Sequence, residues 1–195
     1  MDFLVYNLAE LPPATADLAL LPPDEAAAAT QRGGAYALIR TLLRQELSRR
    51  TGTPPQEITF HYGAHGKPEY APQPFNLSHS GDCLCLAFHH SAVGVDVERI
   101  CPRNYESLAA RFMSPEQLQT FIHRGCPQDE FYACWCAAEA LVKQAGDTMW
   151  NARAYPFLYR HGHIECQFSP CPQVSLFTPM PGYSGAIAYS TESQI

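Results

Sequence analysis

The first half of the chain alternates short apolar runs with one long helical pattern. The apolar run FLVYNL at residues 3–8 predicts a strand. From residues 35 to 50, leucine and isoleucine recur at helical spacing, and Gly52 follows as a helix end. Two more strands are predicted at residues 83–90 and 92–100, with a short turn between them.

The second half repeats this mixture with clearer helix signals. The tetrapeptide Ser-Pro-Glu-Gln at residues 114–117 combines an N-cap serine, a proline in the first turn and a glutamine at the third position, which predicts a helix start. A longer helix is predicted over residues 130–145, capped by Asp129 and ended by Gly146. Short strand-like segments follow it, so both halves mix helices with strands.

Composition and charge narrow the classes of protein that the chain can represent. Apolar residues make up 46% of the 195 residues and charged residues 16%, which excludes a disordered chain. The net charge is −6, which disfavours a protein that acts by coating nucleic acid or an anionic membrane. We therefore expect neither of these partners.

The chain carries no segment typical of export or membrane insertion. Its start has no basic region before the apolar run, and no apolar stretch approaches the roughly 20 residues of a membrane helix. The eight cysteines include no C-x-x-C pair, which favours free, mostly buried thiols in a reducing compartment. These features predict a soluble, cytoplasmic protein.

Two carboxylates share one face of the strand predicted at residues 92–100. Because side chains alternate along a strand, three valines lie on one face, and Asp96 and Glu98 lie on the other. Two carboxylates spaced in this way can bind one hard cation such as Mg²⁺. The plainer alternative, which the pair taken alone favours, is a solvated strand face.

The long helix of the second half carries a stripe of three residues at helical spacing. Trp135, Glu139 and Lys143 lie four residues apart and therefore share one face. Glu139 and Lys143 form either a surface ion pair or a metal carboxylate beside a lysine that neutralises phosphate charge. Taken alone, the ion pair is the simpler interpretation.

A polar segment at residues 75–82, FNLSHSGD, is the densest group of candidate residues. His79 beside Ser78 can donate hydrogen bonds to a phosphate, although the segment also fits a polar turn before a buried strand. The tripeptide GKP at residues 66–68 and the helical residue Arg40 specify nothing by themselves. No glycine-rich phosphate loop and no nucleophile elbow is present.

Taken in order, these motifs resemble those of one family, the Sfp-type 4′-phosphopantetheinyl transferases. The matching segments are RTLL (40–43), GKP (66–68), FNLSHSGD (75–82), VGVDVE (93–98) and W-x-x-x-E-A-x-x-K (135–143). The resemblance implies transfer of the phosphopantetheine arm of coenzyme A (CoA) onto a serine of an apo acyl or peptidyl carrier protein. The second product would be adenosine 3′,5′-bisphosphate.

The resemblance also implies roles for individual residues. Asp96, Glu98 and Glu139 match the Mg²⁺ ligands, and Glu139 is our candidate for the base that accepts the serine proton. Lys143 and His79 would act on the phosphates during transfer. The residues implied to contact CoA are Arg40 at the 3′-phosphate, Gly66, Lys67 and Pro68 against the adenine, and Ser78, His79 and Lys143 at the pyrophosphate.

The fold implied by the resemblance is α+β, with two similar lobes related by a pseudo-twofold axis. Residues 1–90 would form the first lobe and residues 91–195 the second, which carries the metal ligands. The active site would lie between the lobes, and two lobes in one chain favour a monomer.

Two departures from the family pattern leave alternatives open. Ala138 stands where the family usually has a lysine, and few basic residues precede Arg40. A non-catalytic relative that binds CoA or the carrier is therefore one alternative. A thiol or zinc protein built on the cysteines and histidines is another, although their spacing fits no standard zinc motif.

Overall fold

The structure, a computed structural model, describes residues 1–12 and 15–190. The elements of the first half are β1 (Asp2–Asn7), α1 (Pro23–Arg32), α2 (Gly34–Thr51), β2 (His61–Tyr62), β3 (Pro68–Glu69), β4 (Phe75–Ser80) and β5 (Cys83–Phe88). Those of the second half are β6 (Val93–Arg99), α3 (Tyr105–Ala109), α4 (Pro115–His123), α5 (Gln128–Ala145), β7 (Phe157–Arg160), β8 (His163–Cys166), β9 (Gln173–Phe177) and β10 (Tyr183–Tyr189). The α+β class is confirmed.

Two three-stranded antiparallel sheets form the frame of the molecule. The first has the strand order β1-β5-β4, and the second has the order β6-β10-β9. Strands β2 and β3 form a separate hairpin, as do β7 and β8. Each three-stranded sheet therefore draws its strands from one half of the chain.

Helix ends follow local sequence signals in some places and not in others. Ser114 caps α4 in a complete capping box with Gln117, as predicted. Gly52 ends α2 in the left-handed region, with φ of 75°. The predicted cap Asp129 is wrong, because α5 already begins one residue earlier and Asp129 lies within its first turn.

The two sheets meet through small apolar side chains. Cys83, Cys85 and Ala87 of β5 form one buried cluster with the three valines of β6. Burying each valine contributes about 1.5–3 kcal/mol. The alternation predicted for β6 is confirmed on this face, and the opposite face is left for its polar residues.

Gly94 lets α5 lie close against β6. A Cβ atom at this position would overlap the carbonyl oxygen of Ala140 and the amide nitrogen of Gln144, both on α5. Only glycine leaves room for a helix backbone at this separation. The close approach brings the segment 139–143 next to Asp96, two residues further along β6.

Two further observations concern the state of the cysteines and the hydrophobicity of the helices. All eight cysteines are free thiols, and four of them are buried. None of the helices in residues 1–12 and 15–190 is long and apolar enough to cross a membrane.

Candidate active site

Strand β4 uses its alternation to join the two sheets. Its even-numbered side chains accept hydrogen bonds from backbone amides of β6. The pairs are Val95 N to Asn76 Oδ1 at 2.8 Å, Val97 N to Ser78 Oγ at 3.3 Å and Arg99 N to Ser80 Oγ at 3.1 Å. Side chains of the motif FNLSHS therefore accept the hydrogen bonds that backbone amides at the free edge of β6 would otherwise donate to a paired strand.

The odd-numbered residues of β4 face a cavity of about 620 Å³, which we call the basic cavity. Phe75, Leu77 and His79 form part of its wall. Its charged and aromatic lining also includes Arg32, Tyr36, Arg40, Tyr62, His65, Lys67, Lys143 and Asp147, together with Gly66 and Pro68. Cations outnumber carboxylates in this lining, so the cavity suits a phosphorylated ligand that carries an aromatic ring.

Arg40 enters the basic cavity from a buried ion-pair network, the arginine cluster, which comprises Glu25, Arg40 and Arg44. Glu25 accepts a hydrogen bond from Arg40 Nε at 3.0 Å and from Arg44 Nε at 2.8 Å. Burial alone would raise the pKa of Glu25, but the hydrogen bonds from the two guanidinium groups outweigh it and hold the pKa below its ordinary value. Arg40 is thus already paired, whereas Arg32 is exposed at the cavity.

Lys67 lines the basic cavity, and its ammonium group is also held by two backbone carbonyl oxygens. Its Nζ donates to the carbonyl oxygen of Lys143 at 2.6 Å and to that of Val93 at 3.2 Å. Burial lowers the pKa of this lysine. Lys67 therefore ties the GKP loop to β6 and to the C-terminal end of α5, and all three residues of the loop line the cavity.

Asp96 is the most buried member of a second group, the carboxylate cluster, which comprises Asp96, Glu98, Glu139 and Lys143. Only 3% of its surface is exposed, so the interpretation of a solvated strand face is wrong. Asp96 Oδ1 accepts from Lys143 Nζ at 2.7 Å and from Ser78 Oγ at 2.9 Å. Its Oδ2 is buried without a hydrogen-bond partner in the described part of the chain, which is costly unless a ligand supplies one.

Glu98 and Glu139 complete the carboxylate cluster. Glu98 Oε2 accepts from Ser80 Oγ at 3.2 Å and pairs with Arg103 at 3.4 Å. Burial, followed by the charge of Asp96, raises its pKa. Burial and the charges of Asp96 and Glu98 also raise the pKa of Glu139 to about 7, although Lys143 Nζ lies 3.9 Å from its Oε2 and lowers it.

These residues fit a divalent cation by their chemistry. The charge of Asp96 helps to raise the pKa values of Glu98 and Glu139, and the buried Oδ2 of Asp96 lacks a hydrogen-bond partner in the described part of the chain. Oxygen ligands of this kind are those that Mg²⁺ prefers. Among residues 1–12 and 15–190, however, no three His, Cys, Asp or Glu side chains are close enough together to form a ready metal cluster, and Lys143 lies on Asp96.

The residues predicted from sequence fall into two groups. Arg40, Gly66, Lys67, Pro68, His79 and Lys143 all line the basic cavity. Ser78 is buried behind the cavity wall, where its hydroxyl contacts Asp96 and Lys143 instead. Lys143 belongs to both groups, so it joins the carboxylate cluster to the cavity.

Three contributors were not singled out from the sequence. Asn76 binds β6, and Tyr36 and Tyr62 add aromatic surface to the cavity. Tyr36 and Arg40 lie four residues apart on α2, and this spacing was the available signal for a shared face. Ala138, where the family usually has a lysine, is buried in the core around α5 and lies on a different face from Glu139 and Lys143.

The segment that carries the carboxylate cluster matches a known protein family. Residues 92–174, which contain β6 and α5, match the model of the 4′-phosphopantetheinyl transferase superfamily. The chain belongs to the 4′-phosphopantetheinyl transferase family, because it also aligns with members of that family at 35% identity over 76% of their length.

Individual relatives support this membership. The 4′-phosphopantetheinyl transferase AcpT of Escherichia coli (strain K12) is 35% identical over 153 residues, which are 73% of this chain and 76% of the relative. The AcpT of Salmonella typhimurium is 40% identical over 114 residues, or 54% of this chain and 57% of the relative. The transferase Sfp of Bacillus subtilis (strain 168) is 28% identical over 161 residues, covering 75% and 69%.

Proposed function

We propose that this 4′-phosphopantetheinyl transferase moves the 4′-phosphopantetheine arm of CoA onto a serine of an apo acyl or peptidyl carrier protein. The serine oxygen forms a bond to the phosphorus that carries the arm. The bond from that phosphorus to the bridging oxygen breaks, and adenosine 3′,5′-bisphosphate leaves. The observation that carries this proposal is that Lys143 belongs both to the basic cavity and to the carboxylate cluster.

The basic cavity is proposed to hold the nucleotide of CoA. Arg32, His79 and Lys143 offer donors to its phosphates, and Tyr36 and Tyr62 offer aromatic surface to the adenine. Arg40 stays a candidate ligand of the 3′-phosphate, but its Nε and one Nη already bind Glu25. We therefore infer that Arg32 contributes more of the free positive charge.

The carboxylate cluster is proposed to hold Mg²⁺ and to accept the proton of the serine. Asp96, Glu98 and Glu139 would be the ligands, and a bound Mg²⁺ would polarise the phosphate oxygens. Glu139 is the candidate general base for that proton, since its carboxylate lies one helical turn from Lys143. Lys143 would stabilise the negative charge on the transferring and leaving phosphates.

The remaining predictions concern the molecule as a whole. We keep the boundary between two lobes near residue 90 as a proposal, supported by the assignment of each three-stranded sheet to one half of the chain. A site at that boundary is supported by the hydrogen bonds between β4 and β6. The monomeric state, the cytoplasmic location and the absence of nucleic-acid or membrane partners stay predictions.

Intact-mass spectrometry tests the reaction. We would incubate the protein with CoA, Mg²⁺ and a panel of apo carrier proteins, and we expect one carrier to gain the mass of one phosphopantetheine. The gain should disappear with Asp96→Ala or with a chelator. Glu116→Ala, which removes an exposed carboxylate of α4, is the matched control and should leave the gain intact.

Two negative results have different meanings. If no carrier gains mass but CoA still binds, the protein is the non-catalytic alternative, with Lys143 held on Asp96. If CoA does not bind either, the proposed role of the basic cavity is wrong.

A further inference from the structure

A second cavity, of about 590 Å³, opens beside the carboxylate cluster. We call it the tryptophan cavity, and its lining includes Arg111, Trp135, Glu139, Met149, Trp150 and Arg153. Trp150 is 91% exposed. Together with Trp135 and Met149, it gives the cavity an apolar lining next to Glu139.

Helix α5 places the two cavities on opposite sides of the proposed reaction centre. Trp135, Glu139 and Lys143 form one stripe along the helix. Glu139 lines the tryptophan cavity, whereas Lys143, one turn further on, lines the basic cavity. A substrate held in the basic cavity therefore leaves Glu139 open to a second reactant from the side of the tryptophan cavity.

We propose that the tryptophan cavity is the docking surface for the carrier protein, with Trp150 as its apolar anchor. This inference rests on the proposed function, because the serine of the carrier must reach Glu139 to lose its proton. The occupant is a folded partner that presents a serine flanked by acidic side chains. Exposed tryptophans dominate the binding energy of many protein interfaces.

Charge selects an acidic partner at this place. The cavity lining contains two arginines, Arg111 and Arg153, and a single carboxylate, that of Glu139. The chain as a whole carries a net charge of −6, so most of its surface would repel an acidic protein. Arg153 also donates to the carbonyl oxygen of Ala110, which holds the segment 149–154 next to the end of α3.

The pantetheine arm of CoA is the competing occupant, and the structure favours it less. The arm is an uncharged amide chain, so it gains little from two arginines. A side chain as exposed as Trp150 also covers little of a slender ligand, whereas a protein surface can bury it.

Steady-state kinetics with saturating CoA and varied apo carrier test the proposal. We expect Trp150→Ala to raise the KM for the carrier about tenfold, with kcat retained, and Arg111→Glu to do the same. Arg111→Lys should restore most of the affinity. The matched controls are Leu18→Ala and Arg49→Glu, which alter exposed residues outside both cavities and should leave the KM unchanged.

A binding measurement gives a readout that does not depend on turnover. Addition of apo carrier should shift the tryptophan emission of the wild-type protein to shorter wavelength, since Trp150 becomes covered. Trp150→Ala should lose this shift, while CoA titrated into the same variant should bind as in the wild type.

The possible outcomes separate this inference from the proposed function. An unchanged KM for the carrier in both Trp150→Ala and Arg111→Glu would overturn the docking surface. Weaker binding of CoA by Trp150→Ala in the titration, with an unchanged KM for the carrier, would overturn it in favour of the pantetheine arm. If the wild-type protein modifies no carrier at all, the proposed function fails first, and the docking surface fails with it.

Discussion

The arginine cluster and the carboxylate cluster both reach the basic cavity, but their charges are balanced in opposite ways. In the arginine cluster, one glutamate accepts hydrogen bonds from two guanidinium groups, and the pKa of Glu25 is lowered. In the carboxylate cluster, three carboxylates surround one lysine, and the pKa values of Glu98 and Glu139 are raised. One cluster is complete without a ligand, and the other lacks positive charge.

This difference separates a cluster that stabilises the fold from one that is prepared to bind. A buried carboxylate whose hydrogen bonds are satisfied favours the folded state. Buried carboxylates with raised pKa values, such as Glu98 and Glu139, oppose folding slightly, and a cation that binds them removes this cost. Substitutions in the arginine cluster should therefore mainly lower stability. Substitutions in the carboxylate cluster should mainly lower activity.

The largest expected effect is on activity, from Glu139→Gln. We expect the transfer rate to fall by about 10²–10⁴-fold, because the variant loses the proposed base and one cation ligand. The melting temperature should stay within about 2 °C of that of the wild type, since relief of the repulsion from Asp96 and Glu98 offsets the loss of the contact with Lys143. Transfer measured by intact mass, together with calorimetry, checks both parts. A fall in the melting temperature as large as the one expected for Glu25→Gln would remove the contrast between the clusters.

The next largest effect is on stability, from Glu25→Gln. Removal of the shared carboxylate leaves two buried guanidinium groups without their partner, which should cost about 3 kcal/mol in the free energy of unfolding. For a chain of this length the melting temperature should fall by about 6–12 °C. Urea unfolding measures the free energy, and Glu57→Gln, at an exposed glutamate, serves as the control. An unchanged midpoint would show that the arginines do not need Glu25.

A smaller effect distinguishes the two arginines of the basic cavity. Arg32→Ala should raise the KM for CoA about tenfold without changing the melting temperature, since Arg32 is exposed and supplies charge to the ligand. Arg40→Ala should lower the melting temperature as well, because it breaks the pairing with Glu25. If Arg40→Ala alone weakened CoA binding, the assignment of the 3′-phosphate to Arg40 would be the better one.

The smallest expected effect is the change in the free energy of unfolding as the pH is lowered. The pKa of Glu25 in the folded protein lies below its ordinary value of 4.5. The stabilisation by its ion pairs is therefore complete above that value and is lost as the pH falls through the folded-state pKa. Between about pH 6 and about pH 3, the wild-type protein should lose more free energy of unfolding than Glu25→Gln does. Parallel curves for the two proteins would contradict this.

Local periodicity explains why part of the site could be predicted from the sequence. Asp96 and Glu98 follow from alternation along a strand, and Glu139 and Lys143 follow from helical spacing. The order of motifs then indicated the family. The α4 capping box was predictable for the same reason, since all of its partners lie within four residues.

The features that the sequence could not predict depend on contacts between distant segments. The pairing of Arg40 with Glu25, which lies on another helix, is not visible from the motif around Arg40. The hydrogen bonds from the ammonium group of Lys67 to carbonyl oxygens of β6 and α5 are likewise not visible from the GKP motif. The burial of Asp96 likewise depends on how closely α5 lies against β6.

Gly94 sets a limit on how this enzyme can be altered. It contributes no side chain to the site, yet any larger residue would overlap the backbone of α5 at Ala140 and Gln144. The helix would then have to move, and it carries both Glu139 and Lys143. In a library that samples every amino acid at each position, Gly94 should tolerate as few replacements as Asp96 does. Attempts to broaden the range of substrates should therefore vary the cavity walls and leave this position unchanged.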